Sequence, residues 1–516
     1  MTSGETAVAP NAQRLLWAGF MSILAAGVGF SIRGGVLGQW GNQFGFTMTE
    51  LGTITGGGLT GAGIIILVGS VMADKVGYGK LMTLAFLAHF ASAVLQLAAE
   101  AAYASGGKSA AFYCLYFGMF LFAIGNGICE AVVNPLVATL FPHNKTHYLN
   151  ILHAGWPGGL IIGGLLSYFM NPDNSKPVDW KIQMSLFLLP VVVYGVMLLG
   201  QRFPRSEASQ AGVSYGQMFL QLFAPLMIIL LAMHALVGYV ELGTDSWIAK
   251  ITGSIMASPQ KGLLLFVYTS GLMFALRFFA GPIVHRISPL GLLFVSGLLG
   301  FAGLQLLGSS DTVLWCIIAA TVYSCGKTFL WPTMLAVASE QFPKGGAITI
   351  GAIGGMGMLS AGLLGGPGIG FKQDYNASHK LNATSPEVFE RYKATNTNTF
   401  LGFSVVGLDN AKVGVLDDNG AELNRALEIQ KKDKKHDEKL DALAAWWDKS
   451  RTSADDDKKV VNAAALYGGK QALVLTSYVP LVMAVLYLLL ILYFRATGGY
   501  KAVHIDSPES MGTAES

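Results

Sequence analysis

Six ionisable side chains, Arg33, Glu130, Glu241, Asp245, Arg277 and Lys327, stand inside long apolar stretches of the chain. A charge at bilayer depth costs a few kcal/mol, so it normally faces a partner or a water-filled cavity. Glu130 and Asn134 are four residues apart, which on a helix places them on one face, a turn apart. An ionised carboxylate accepts hydrogen bonds, and an amide both donates and accepts them. The pair therefore suits the vicinal hydroxyls of a neutral solute. Glu130 has a second possible role as a proton carrier, since burial raises a carboxylate pKa and a nearby cation such as Lys327 lowers it. The competing readings are a permanent Glu130–Lys327 ion pair, and for Asn134 a helix–helix hydrogen bond beside the kink at Pro135.

The other candidates carry similar alternatives. By position, Arg33 is matched with Glu241 and Glu130 with Lys327, which suggests two ion pairs at different depths acting as gates. Static pairs that fix helix register, or pairing within one part of the bundle, are the alternatives. Arg277 is expected to satisfy a carbonyl or carboxylate. His153 and His234 titrate near neutrality and suit either a proton relay or hydrogen bonds across helices. Trp156, Trp247 and Trp331 offer apolar faces to a ring-shaped solute, though tryptophan in a membrane helix more often packs or anchors at the interface.

What must position these groups is a bundle of membrane helices. Of 516 residues, 52% are hydrophobic and 13% charged, about half the roughly 25% charge of soluble domains. Mean hydropathy is +0.50, and the 64 glycines fit membrane helices, where glycine is more frequent than in soluble ones. A net charge of +3 gives no nucleic-acid footprint. Cys114, Cys129, Cys316 and Cys325 lie in apolar runs without metal-like spacing. No nucleophile–base set stands out, so neither an enzyme nor a cofactor is expected.

About 20 apolar residues cross the hydrocarbon core. That ruler predicts spans at about 14–38, 50–73, 80–103, 111–141, 148–170, 181–202, 218–249, 261–284, 289–308, 313–341, 346–370 and 471–495. The expected class is an all-α membrane protein of twelve transmembrane helices in two pseudo-symmetric six-helix halves. The expected divisions are 1–203, a link at 204–217, spans seven to eleven over 218–370, a helical extracytoplasmic insertion at 371–470, and 471–516 as the last span and tail. The polar Met1–Gln13 stretch and the long run after it read as a first span rather than a cleaved signal. Five of the six deep charges fall on spans one, four, seven and ten, equivalent positions in a doubly repeated bundle.

Lysine and arginine bias sets orientation. Arg14, Lys75, Lys80, Lys145, Arg202, Arg205, Arg286, Lys344, Arg495 and Lys501 would lie inside, against Lys108, Lys176, Lys181, Lys250 and Lys261 outside. Both termini are thus expected in the cytoplasm of a multi-pass inner-membrane protein. Within the insertion, Ser385 and Ser453 read as helix caps, and Glu422 to Lys449 as a helical hairpin around the charged run from Lys431 to Lys439.

Two patches resemble known transporters. Ser70-Val-Met-Ala-Asp74-Lys75-Val-Gly77-Tyr-Gly-Lys80 is similar to the Gly-x-x-x-Asp-Arg-x-Gly-x-x-Lys/Arg signature of the major facilitator superfamily, with Ser70 in place of the first glycine; Gly281 to Arg286 is a degraded counterpart. The resemblance makes Asp74, Lys75, Gly77 and Lys80 a conformational motif that stabilises the state closed to the cytoplasm. Gly127-Ile-Cys-Glu130-Ala-Val-Val-Asn134-Pro135, followed by Leu149-Asn150, resembles the fucose–galactose–glucose proton symporters. That resemblance implies a sugar pathway at Glu130 and Asn134, with Trp247 and Trp331 fitting the family's habits. The family's first-helix aspartate is replaced near Arg33-Gly34, and His153 and Trp156 stand where it commonly has Gln and Asn. The expected partners are a small solute, a coupling ion (the proton) and the lipid bilayer. An anionic solute such as a sugar acid, or a sensor on the same scaffold, are the alternatives; no oligomer is required.

Overall fold

The computed structural model of the protein describes residues 9–46, 48–171, 177–433, 437–503 and 505. Lys176 and residues 434–436 of the expected charged run lie outside them. Eleven described segments are long and apolar enough to cross a membrane. They are α1 (Ala12–Phe44), α2 (Glu50–Val76), α3 (Tyr78–Leu97), α4 (Ala99–Leu140), α5 (Lys145–Met170), α6 (Trp180–Leu198), α7 (Pro225–Ile255), α9 (Ala280–Gly308), α10 (Val313–Gln341), α11 (Pro343–Thr384) and α12, whose continuous helix runs Ala454–Ala496. The expected eighth span falls on α8 (Pro259–Arg277), a 19-residue helix with Lys261 and Arg277 at its ends, which is not among the eleven.

Backbone breaks separate runs that otherwise read as one helix. Gly107 (φ 68°) divides α4, between the expected third and fourth spans. Ser288 (φ 63°) divides α9 at a Ser–Pro step, and its Oγ accepts from Gly291 N at 3.2 Å, capping the segment that follows. α4 and α10 also end alike: Phe141 (φ −129°, ψ 61°) and Phe342 (φ −126°, ψ 53°) each precede a proline. That shared geometry extends the likeness between the Glu130–Pro135 and Lys327–Pro332 stretches.

The 371–470 segment departs from its expected boundaries. α11 continues to Thr384, and α12 begins at Ala454, so both flanks are extensions of membrane helices. Between them lie Pro386–Tyr392, a hairpin pairing Asn398–Phe400 with Phe403–Val405, and helices Asn410–Asp417, Ala421–Asp433 and Glu438–Ser450. The last two match the expected helical hairpin. Ser385 and Ser453 make no side-chain cap; Asp409 and Asp437 cap instead. A small core of Leu381, Tyr392, Leu416, Trp447 and Val461 holds the unit together. Arg391 adds a two-pronged bond to Asp457, at 2.9 and 2.6 Å.

Close helix contact depends on small residues, because packing rather than hydrophobicity drives association in lipid. α2 and α11 approach so closely that a Cβ on Gly351 would lie 1.7 Å from Ser70 Oγ. Likewise, Gly158 of α5 faces Phe274 of α8. Gly351→Ala should therefore force the helices apart and cost about 1–3 kcal/mol by overpacking. Ser70→Gly in the same chain should recover most of it. Thermal unfolding of the purified single and double variants checks this; equal losses in both would mean that the Ser70 contact is not the limiting one.

Candidate functional site

α7 is interrupted by a π-turn at Tyr239–Gly243, and α11 by another at Ala361–Gly365. The two turns face each other, so that a Cβ on Gly243 would lie 2.6 Å from Gly365 Cα. Single π-turns often mark functional sites; this one carries Glu241. Its carboxylate oxygen Oε1 accepts from Arg277 Nη2 at 3.0 Å. Arg277 also donates through Nε to the Thr328 carbonyl at 2.9 Å and through Nη1 to the His153 carbonyl. One turn further along α7, Asp245 Oδ1 accepts from Lys327 Nζ.

Glu130, Asn134 and His153 form the complementary part of the site. Asn134 Nδ2 donates to the Glu130 carboxylate at 2.7 Å and to its carbonyl at 2.9 Å. Asn134 Oδ1 lies 2.8 Å from His153 Nε2. Glu130 and Asn134 thus share a face, as their spacing predicts. The same spacing also lets them satisfy each other. Because Arg277 holds the His153 carbonyl, a continuous chain of contacts runs from Glu241 through Arg277 and His153 to Asn134 and Glu130.

Charges at this level do not cancel evenly. Glu241 has Arg277, and Asp245 has Lys327. The nearest basic group to Glu130 among the described ion pairs is His153, at 3.9 Å. Glu130 is also the most exposed of the five, at 12% against 1% for Arg277 and 2% for Lys327.

Neither expected cross pair forms. Lys327 is taken by Asp245 instead of Glu130, a pairing between α7 and α10. Arg33 does not meet Glu241; it lies inside a cluster of α1, α3, α4 and α6. Its Nε donates to Gln96 Oε1 at 3.2 Å and its Nη2 to Ser92 Oγ at 3.1 Å. Its guanidinium carbon stands 3.7 Å from the Phe122 ring centre and 4.6 Å from that of Phe187. Cation–π attraction and neutral acceptors replace the carboxylate. The expectation for Arg277, carbonyls and a carboxylate, fits its three partners.

The tryptophans are engaged by protein. Trp247 Nε1 donates to the Gly366 carbonyl at 2.8 Å, tying α7 to α11. Trp331 is buried edge-on against His234, their ring centres 4.6 Å apart. Both therefore pack, and His234 lies with Trp331 instead of with the carboxylates.

The Asp74 motif sits where α2 meets the start of α11. Gly77 adopts φ 93°, which favours glycine. Lys75 Nζ lies 4.2 Å from the Tyr215 ring centre, and Tyr215 OH donates to the Val71 carbonyl. Asp74 Oδ2 is buried 3.4 Å from where a Cβ on Gly346 would stand, at the beginning of an α11 helix. A carboxylate is favoured there by the helix dipole. Lys80 lines the adjoining cavity of about 260 Å³ with Asp74, Tyr78 and Arg205.

Sequence reasoning missed the polar contacts at this same end. Lys145 Nζ reaches Glu207 Oε2 at 2.8 Å and the Ser339 carbonyl at 3.4 Å, while Thr146 Oγ1 donates to Glu340 Oε1 at 2.9 Å. Asn150 donates to Thr333 Oγ1 at 3.3 Å. Glu340 stands two residues before Phe342-Pro343, so its place at a helix end was the available signal.

Apolar helices closed around buried ion pairs, with polar contacts between α5 and α10, define a multi-pass membrane transporter. Residues 19–366 match the Major Facilitator Superfamily, more than half of the chain, and the chain belongs to that superfamily. Its fold is similar to the outward conformation of FucP, the fucose:proton symporter of E. coli, with TM-score 0.56 and 16% identity over 70% of this chain and 92% of that one. It is similar also to the E. coli proton:xylose symporter XylE bound to 6-bromo-6-deoxy-D-glucose (TM-score 0.58, 13% identity, 72% and 91% covered). A bacterial homologue of the human lysosomal transporter Spinster, inward-facing and unoccupied, matches over 94% of this chain and 97% of its own, with TM-score 0.58 and 13% identity. No curated protein matches the chain in sequence.

Removing one member of a buried ion pair leaves an uncompensated charge, typically at a cost of 3–5 kcal/mol. Lys327→Ala should therefore lower stability strongly, and Asp245→Asn should restore much of it in the double variant. Glu130→Gln should restore little. Thermal unfolding of the three variants decides the pairing: rescue by Glu130→Gln in place of Asp245→Asn would reassign Lys327.

Proposed function

We propose that the protein is a secondary active transporter that carries a neutral monosaccharide together with a proton by alternating access. The observation that carries this reading is Glu130, a carboxylate held by the Asn134 amide with a histidine nitrogen 3.9 Å away, while its neighbours Glu241 and Asp245 have cations. A proton is the cheapest neutraliser of such a group, because burial disfavours the charged form. Asn134, now bonded to Glu130 and His153, would exchange those partners for sugar hydroxyls. FucP and XylE, by their titles a fucose:proton and a proton:xylose symporter, lend support through shared fold.

The proposed topology has twelve spans, with α8 as the eighth, in two halves joined by the 204–217 link. Both termini would be cytoplasmic in the inner membrane, with the helical unit between α11 and α12 outside. The anionic-solute reading is weaker, since Lys327 is occupied by Asp245 and Arg33 lies with Ser92 and Gln96.

Asn134→Ala should weaken sugar binding by about 1–3 kcal/mol, the usual cost of leaving a buried polar partner unsatisfied. Glu130→Gln should keep sugar exchange across proteoliposome membranes while losing accumulation driven by a pH gradient. Competition between a neutral monosaccharide and its uronic acid at fixed pH tests the substrate. Uptake of the acid alone, unchanged by Asn134→Ala, would overturn the sugar reading.

A further inference from the structure

After α12 the chain does not leave the bundle. Gly498 (φ 102°) and Gly499 (φ 94°) reverse its direction, with Gly499 N bonded back to the Phe494 carbonyl at 2.7 Å. The Tyr500 ring then packs on Phe494, centres 5.2 Å apart, and its hydroxyl donates to Glu340 Oε2 at 2.6 Å. Val503 N donates to the Glu340 carbonyl at 2.8 Å, and Gln341 Nε2 to the Lys501 carbonyl at 2.9 Å. Ile505 packs on the cluster of Ala208, Met218 and Ile348, formed by the link helices and the start of α11.

Glu340 is thus shared. One carboxylate oxygen receives Thr146 from α5, and the other receives Tyr500 from the tail. Thr146 is 4% exposed, so this is an enclosed contact between α5 and α10. The link packed under Ile505 also carries Glu207, the partner of Lys145. Opening this end of the bundle parts α5 from α10 and so breaks Thr146–Glu340 and Lys145–Ser339.

We propose that residues 498–503, with Ile505, form a strap that fastens the Asp74-motif end of the transporter in its closed state, with Tyr500–Glu340 as its buckle. The physical reason is geometric. With Tyr500 on one oxygen and Val503 on the backbone, Glu340 cannot rotate away from Thr146, so the α5–α10 contact is pre-organised. Releasing the tail frees the carboxylate and makes opening easier. The strap also ties three separate pieces (link, α10 and tail) into one closed assembly. It follows that anything drawing the tail away, such as a partner protein or a modification at Tyr500, would speed opening without touching the Glu130 site. The inference needs only alternating access and stands apart from the identity of the solute.

The test places a cysteine at Ser339, which is 2% exposed in the closed arrangement, in protein purified in detergent. Its reaction with a polar maleimide is followed by peptide mass spectrometry, so that the native cysteines do not interfere. Tyr500→Phe, removal of residues 500–516, and Thr146→Val are compared with the parent. Loss of a charge-assisted hydrogen bond is expected to raise the labelling rate about tenfold in each. Tyr500→Phe stands as the decisive variant if the truncated chain does not fold. If Thr146→Val raises labelling while Tyr500→Phe and the truncation do not, the tail is a bystander and the strap is refuted. Unchanged labelling in all three would equally refute it.

Discussion

Inside a bilayer no water is at hand to hydrate a charge, so every ionised side chain at that depth must be satisfied by the protein itself. Most of the arrangement around the site follows from that constraint. Arg277 meets it with two carbonyls and a carboxylate, Lys327 with Asp245, and Arg33 with two neutral acceptors between phenylalanine rings. Of the three carboxylates Glu130, Glu241 and Asp245, Glu130 is the one that meets it with an amide and no lysine or arginine, and that difference gives it a candidate role in transport.

The pairings also explain how the helices are held. The π-turn in α7 rotates Glu241 toward α8, and its counterpart in α11 lets the two helices touch through Gly243 and Gly365. Arg277 then reaches past its own neighbours to the His153 carbonyl of α5. Under the alternating access proposed here, a bond of this kind joins two parts of the bundle that must move against each other. At the far end, Thr146, Asn150 and Lys145 bond to α10 in the same way. Both sets of contacts are polar and directional.

Much of the fold was legible in the sequence because membrane spans announce themselves by length and apolarity. The gaps between the expected third and fourth spans and between the eighth and ninth hold the breaks at Gly107 and Ser288, and the Glu130–Asn134 face follows from helical spacing. Partner choice was not legible. Glu241 with Arg277 and Asp245 with Lys327 join residues 36 and 82 positions apart, and formal symmetry between halves suggested different partners. Arg33 was harder still, since Ser92 and Gln96 carry no charge to advertise themselves. The tail gave no signal at all: a lone tyrosine after Gly498-Gly499 finds its role only once α10 is in place. Ser385 and Ser453 stand at helix starts as their types suggest, yet their side chains make no cap, because residue type permits that bond without requiring it.

The central claim is that sugar and proton move together through a site in which, among the described residues, Glu130 is the carboxylate with no lysine or arginine partner. Its most direct test is the pH of a lightly buffered suspension of de-energised cells making the protein, recorded as fucose, xylose or another neutral monosaccharide is added. The account predicts a prompt alkalinisation with a neutral sugar, absent in cells making Glu130→Gln. Sugar entry with no pH change, or an unaltered pH change in Glu130→Gln, would contradict it.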